Sequence, residues 1–272
     1  MADDPYSHSE FLTVMAQMGA RPSSDDPTTG TLKISDGLES NGHVRVAPLM
    51  LLADMVVGMQ LESIVDDWTF TTDFSFRRGS STNVKNIQAQ SHVLRHGKKM
   101  FIEEVNFVDQ DETSVGTSQI TFLRTPLREG ETKPDISGIR MRMSKSEIPP
   151  LREPVSDLAG ITVKEPSIGE VVLHPNESVR RPGGFVQGAI MTLLGEISGQ
   201  SFGEYHLGEP CIVTSLDARY LIGGRSGPLS TKSEWVGPQD QGNIKVSLFD
   251  LGHDVLSCSF FVKVLPCSQL SS

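Results

Sequence analysis

Leu49–Met59 reads LMLLADMVVGM, and Asp54 is its one charged group. Ala189–Ile197 reads AIMTLLGEI, again with a single charge, Glu196. Upstream the two stretches align without a gap: Gly42 falls on Gly184, Val44 on Val186, and Asp54 on Glu196 (196 − 54 = 142). Each stretch is apolar on nearly every face, the pattern of a helix enclosed by other elements. Taking even a neutral polar group out of water without a partner costs roughly 2–7 kcal/mol. An acid placed twice in such a helix points to a chemical use.

The chain has 272 residues and a formal net charge of −10, with 16 Pro and 25 Gly, which suits a turn-rich protein of two modest domains. Its acidic balance argues against a nucleic-acid partner, which would want a basic face. Read by run length, no apolar stretch approaches the ~20 residues of a membrane span, so no membrane partner is expected. The N-terminal MADDPYSHSE lacks the basic and apolar regions of a signal peptide. Cys211, Cys258 and Cys267 are odd in number and have no metal-like spacing, which fits a cytoplasmic location. His92 and His96 straddle a strand end and a turn, so no metal ligand set is read there.

Both halves follow one order. In the first, an amphipathic Ser9–Met18 and a strand-like Thr31–Ser35 precede the apolar helix, with Pro48 suited to its first turn. Four β-like runs follow: Trp68–Phe76, Asn86–Leu94, Met100–Val108 and Thr113–Leu123. In Trp68–Phe76 the alternation puts Trp68, Phe70, Thr72, Phe74 and Phe76 on one face. The second half offers Ile161–Lys164, Glu170–Leu173, a helix over Gln187–Phe202, then strands from Ile212, Leu229, Asn243 and Val255. Thr71–Phe76 and Thr214–Tyr220 share a signature, with Asp73 matched to Asp217 across a small gap. The domains are therefore 1–127 and 151–267, joined by a polar linker over 128–150 with room for a short helix. The class is α+β, each half an antiparallel sheet wrapped around a helix. A lone half leaves a sheet edge and a helix end exposed, and pairing two halves remedies both.

This plan resembles the hotdog fold in its fused, double form. The second half resembles the acyl-CoA thioesterases of the phenylacetyl-CoA type, whose signature is Asn-x-x-Gly-x-x-His-Gly-Gly before a helix carrying Asp or Glu. Gly184, Gly188 and Glu196 fit that signature, while Arg181, Gln187 and Ala189 replace its Asn, His and second Gly. The first half keeps only Gly42 and the acid, Asp54. The resemblance implies hydrolysis of an acyl-CoA or acyl-carrier-protein thioester between the halves, with coenzyme A entering as part of the substrate and no separate cofactor.

Helix geometry bears on the pairing. Gly188 and Glu196 are eight residues apart, about 12 Å along a helix, too far to serve one carbonyl. Antiparallel helices would set Gln187 and Gly188 against Asp54, and Arg45 and Val46 against Glu196. In that reading Gly188 supplies an oxyanion donor, Gln187 orients substrate or water, and Asp54 is general base or nucleophile. Arg45 and Val46 serve substrate in the poorer site, with Glu196 as its acid. Thr192 either bonds Glu196 or turns back on its own helix. Arg77, Arg78, Arg219 and Arg225, near strand ends, either hold coenzyme A phosphates or face water. Ala47, Ala53, Val56, Val57, Gly195 and Gly199 offer lining for an acyl tunnel. Gly199–Gly203 spells GQSFG, but at a helix end rather than in the strand–turn–helix setting of a serine nucleophile. Two other functions stay open: a degenerate double hotdog that binds an acyl chain or partner without turnover, and a hydratase or dehydratase, for which His43 is the only candidate histidine. A fused pair can remain alone or assemble into a homo-oligomer.

Overall fold

The computed structural model describes residues 13–147, 149–181 and 183–270. Of the expected Ser9–Met18 segment, Val14–Met18 forms the short helix α1, and residues 9–12 lie outside the described range. The first half contributes β1 (Ala20–Pro22), β2 (Thr29–Lys33), the two-residue hairpin strands β3 (Glu39–Ser40) and β4 (His43–Val44), and α2 (Val46–Ile64). Then come β5 (Trp68–Arg78), β6 (Asn86–His96), β7 (Met100–Asp109) and β8 (Ser114–Thr125). The connecting stretch holds α3 (Ile136–Lys145) and α4 (Val155–Ala159). The second half is β9 (Ile161–Glu165), β10 (Glu170–Leu173), α5 (Gly188–Leu207), β11 (Cys211–Tyr220), β12 (Leu229–Trp235), β13 (Asn243–Asp250) and β14 (Val255–Pro266).

One antiparallel sheet of twelve strands runs β1-β2-β6-β7-β8-β5-β11-β14-β13-β12-β10-β9. Read outward from its middle, each half has the same order. The halves are stitched at β5–β11, where Ser75 lies opposite Asp217, Asp73 opposite Arg219, and Arg77 opposite Ser215. Each of these pairings maps onto the set when 142 residues separate equivalent positions, so the ladder carries a pseudo-two-fold axis between Ser75 and Asp217. The sequence offset therefore continues through the strands with no gap. Asp73 is equivalent to Ser215, not to Asp217; both acids instead hold a cross-strand arginine, Arg219–Asp73 at 2.9 Å and Arg77–Asp217 at 2.7 Å.

The same offset relates two β-bulges, at Thr72 in β5 and at Thr214 in β11. A bulge inserts one residue and flips the alternation beyond it. Phe74 and Phe76 are fully buried, but before the bulge it is Thr69 and Thr71 that turn to the helix, not Phe70 and Trp68. The single face expected for Trp68–Phe76 is therefore broken at Thr72.

Each central helix lies in the hollow of its half-sheet. α2 is long and apolar enough to cross a bilayer by length and composition, a property that run length alone concealed, and here Val46–Ala53 is buried throughout. α5 extends to Leu207, with Ser198 and Gln200 buried. Ser198 donates to the Gly169 carbonyl at 2.6 Å, and Gln200 donates to the Cys211 carbonyl at 2.9 Å. Within 128–150 the chain folds back on the first half: Lys133 pairs with Glu62, and Arg21 donates to the Ser146 hydroxyl at 2.5 Å.

α5 approaches its sheet along one row of glycines. A Cβ on Gly195 would lie 2.8 Å from the Phe260 ring, on Gly199 2.9 Å from Val262, and on Gly203 2.8 Å from Val264. Gly195 and Gly199 are thus spent on close packing against β14 and do not line a tunnel. Replacing Gly199 by Leu should lower the unfolding free energy in urea by about 1–3 kcal/mol, the scale of overpacking. Parent-level stability for Gly199→Leu would mean free space exists beneath α5.

Candidate active site

The start of α5 meets the middle of α2. Gln187, in extended conformation, caps α5: its Oε1 accepts the Ala189 N–H, which satisfies one of the unpaired donors of the first turn. That bond fixes the amide plane and turns Nε2 toward the neighbouring helix, where it donates to Asp54 Oδ2 at 3.3 Å. The other carboxylate oxygen, Oδ1, accepts the Thr71 hydroxyl. Next to Gln187, the Gly188 N–H has no acceptor among the described residues. It lies at the positive end of a twenty-residue helix.

Asp54 is ringed closely by protein yet keeps some surface open to solvent. Burial raises its pKa, while the Thr71 hydrogen bond and the nearby Arg181 charge pull it back down. Burial in turn lowers the pKa of Arg181, and Asp54 opposes that shift. The Arg181 guanidinium stacks 4.8 Å from the Phe70 ring centre and 5.5 Å from that of Phe185. On the other side of the α5 start, the Tyr220 hydroxyl lies 2.5 Å from Thr192 Oγ1 and donates more weakly to the Gly188 carbonyl at 3.4 Å. Thr192 therefore bonds neither Glu196 nor its own helix. Burial holds the Tyr220 hydroxyl well above its ordinary pKa, so it stays a neutral donor.

The start of α2 meets α5 in the mirror arrangement, with a different outcome. Glu196 is 2% exposed, and its two oxygens accept the Val46 N–H at 2.8 Å and the Ala47 N–H at 3.0 Å. Both donors that would polarise a carbonyl are consumed. The two halves thus run helix start to acid in opposite directions, and α2 and α5 are antiparallel. Arg45 turns to Gln200 Oε1 at 3.3 Å instead of to an open recess. Arg78 is not at a phosphate site: its Nε donates to the Val213 carbonyl at 2.8 Å and a terminal N–H to that of Val44 at 2.9 Å. Burial lowers its pKa and the Glu196 charge counters that. Arg78 occupies the position equivalent to Tyr220, so one site has a cation beside its acid where the other has a phenol.

Of the residues singled out from sequence, the structure brings Asp54, Gln187, Gly188 and Thr192 together at one end of the α2–α5 contact, while Arg225 lies over the Phe185 ring. It brings Arg45, Val46, Glu196 and Arg78 to the other, closed end. Thr71 and Tyr220 were missed. The alternation expected for Trp68–Phe76 leaves Thr71 on the opposite face from Phe74 and Phe76, and the bulge at Thr72 that reverses this has no strong sequence signal. A surface recess of about 340 Å³ between α1, β2 and the connecting segment, lined by Met18, Leu32, Ile87 and Leu151 among others, is remote from both acids. Among the described residues no group of three or more His, Cys, Asp and Glu is gathered as in a metal centre.

No known family and no curated protein matches this sequence. Solved structures do match in shape. An acyl-ACP thioesterase from Bacteroides thetaiotaomicron superposes with a TM-score of 0.59 at 13% identity, covering 89% of this chain and 100% of that one. The 12:0-ACP thioesterase from Umbellularia californica gives 0.56 at 10% identity, covering 88% and 96%. A hot dog fold protein of unknown function from Alicyclobacillus acidocaldarius gives 0.60 at 8% identity, covering 96% and 98%. At such identities the likeness establishes the fold. The chain is a tandem pair of hotdog folds, each an antiparallel sheet around a long apolar helix.

The closed end carries a stability prediction. Glu196→Ala removes the acceptor of two helix-start N–H groups and leaves Arg78 without its counter-charge. It should cost about 3 kcal/mol in urea unfolding, the scale of a broken buried pair, with Glu196→Gln milder because one acceptor oxygen remains. An Ala variant as stable as the parent would show that Glu196 is not the cap of α2.

Proposed function

We propose that this protein is a thioesterase, hydrolysing an acyl thioester of coenzyme A or of an acyl-carrier protein where Asp54 faces the start of α5 at Gly188. The observation that carries the reading is the juxtaposition of an accessible, pKa-raised carboxylate with an unoccupied backbone donor at a helix start. The likeness of Gly184, Gly188 and the acid position to the phenylacetyl-CoA-type thioesterases supports it, as do the thioesterases among the structural neighbours. The end at Glu196 is read as structural, so each chain carries one site.

The steps follow from the geometry. The thioester oxygen takes the Gly188 N–H, whose helix-start field stabilises the oxyanion as it forms. Asp54, ionised, removes a proton from water, and the hydroxide oxygen bonds to the carbonyl carbon. Gln187 and Thr71 each donate to one carboxylate oxygen, which fixes its direction and leaves its remaining lone pairs for water. The tetrahedral intermediate then expels the thiolate, which recovers the proton held on Asp54. No cofactor is required; the coenzyme A or carrier protein leaves as free thiol.

Two substitutions separate the roles. Asp54→Asn should reduce thiol release from acyl-CoA by at least ~10²-fold, the scale of a lost general base. Gly188→Pro deletes the N–H at the first helical position, where proline is well tolerated, and should cost ~10²–10³-fold in kcat with little change in melting temperature. Because burial lifts the Asp54 pKa and the base works only when ionised, the acid limb of kcat/KM should lie above the ordinary aspartate range. Full activity in either variant would remove that group from the mechanism.

A further inference from the structure

Ser226, His253 and Asp250 form a hydrogen-bonded chain outside the site at Asp54. The Ser226 hydroxyl lies 3.2 Å from His253 Nε2, and His253 Nδ1 lies 3.2 Å from Asp250 Oδ2. Ser226 belongs to the loop between β11 and β12, while Asp250 ends β13 and His253 lies in the turn after it. The two segments press together at Gly252. A Cβ there would lie 2.5 Å from the Gly227 carbonyl oxygen and 2.7 Å from Ser226 Cβ, so a larger residue would drive them apart. Ser226 and His253 are exposed, whereas Asp250 is 1% exposed.

Asp250 sets the direction of the chain. Burial raises its pKa, but the Arg225 and Ser226 N–H groups, His253 and the Gly227 N–H outweigh that and bring it to about 2. It is therefore a carboxylate with no proton to give, and His253 Nδ1 must donate to it. In the neutral imidazole Nε2 is then the acceptor, so Ser226 donates and its proton is aimed at a base. Nucleophile, base and orienting acid stand in the relation that marks an activated serine on any fold.

The first half supplies a comparison. The 142-residue offset carries Ile87 onto Leu229, and their cross-strand partners are Asp109 and Asp250. Asp109 accepts the Ser81 hydroxyl and the Asp111 and Thr113 N–H groups, at 2.8 and 2.9 Å for the last two. Anchoring a loop is thus common to both acids, and of the two only Asp250 has a histidine between it and a serine. Asp250 also limits the chemistry. The Ser226 and Gly227 N–H groups donate to it at 3.0 and 2.8 Å, so neither is free to hold an oxyanion beside the serine. Acyl transfer here needs a good leaving group, and the ester once formed has no assisted route to hydrolysis. Leu221, Ile222 and Leu251, 53–55% exposed on the same two segments, offer apolar surface to a small acyl group.

We propose that Ser226 is a second nucleophile, driven by His253 and oriented by Asp250, which takes the acyl group of small activated esters and keeps it as an acyl-serine. Its Oγ bonds to the carbonyl carbon as its proton passes to His253 Nε2. The bond to the leaving oxygen then breaks, and that oxygen carries the proton away. The proposal is independent of the reading at Asp54.

p-Nitrophenyl acetate is the probe, applied to the full chain carrying Asp54→Asn so that the first site does not consume it. Ser24 is the internal reference, an exposed serine that donates to Asp25 at 2.9 Å with no histidine in the pair. Acetylation mapped by mass spectrometry should reach one equivalent at Ser226, at least ~10²-fold faster than at Ser24, the scale of a general base. His253→Gln should bring Ser226 down to the Ser24 rate, with Ser24 labelling and the melting temperature unchanged. Ser226→Ala should lose that equivalent. Equal rates at Ser226 and Ser24 with His253 intact overturn the proposal, as does acetylation of His253 with no ester at Ser226. Loss of the acetyl group in step with continued p-nitrophenolate release would show turnover and overturn the acceptor role.

Discussion

Two helix starts face two acids across the α2–α5 contact, and the reach of each acid decides what its helix start remains free to bind. Glu196 is one methylene longer than Asp54. That length carries its carboxylate onto the Val46 and Ala47 N–H groups, so the helix end is capped and the acid is nearly sealed from water. Asp54 stops short of Gly188 and is held instead by Thr71 and the Gln187 amide. The same fold and the same pseudo-symmetry thus yield a capped helix start at one end and, at the other, a Gly188 N–H left uncapped by its facing acid.

The residues around each acid have diverged in the same sense. At the closed end the cation of Arg78 balances Glu196, and its guanidinium also satisfies two carbonyls. That set closes on itself, as a buried charge requires. At the open end the equivalent of Arg78 is Tyr220, a neutral group bonded to Thr192, and the cation near the acid comes from the entry loop as Arg181. The cap role that Glu196 plays in trans is taken at α5 by Gln187 in cis, which leaves Gly188 as the one first-turn donor facing the acid.

Much of this was legible in the sequence because it follows from spacing. The 142-residue offset, the two all-apolar helices and the runs of β-branched residues carried the tandem plan and the succession of the longer strands along the chain, though not their order in the sheet. The rise of a helix separated Gly188 from Glu196 and so opposed each helix start to the acid of its sister. Side-chain reach was not legible. Asp and Glu read alike as acids in an apolar helix, and only the three-dimensional distance shows that one spans the gap and the other does not. The bulge at Thr72 was also hidden, because a local insertion in a ladder leaves composition and alternation almost intact, and Thr71 was lost with it. Arg78 looked like a surface residue at a strand end; its engagement depends on where α5 places Glu196, 118 positions away in the chain (196 − 78 = 118).

Lengthening the open site's acid examines the account most directly. Asp54→Glu keeps the carboxylate and adds the methylene that Glu196 has, so the new side chain should reach the Gly188 N–H and cap it. Steady-state thiol release should then fall to the level of a variant with no carboxylate, even as the protein melts no lower than the parent. A Glu variant that turns over acyl-CoA at the parent rate would contradict the claim that reach, rather than the mere presence of an acid, sets which end of the molecule is reactive.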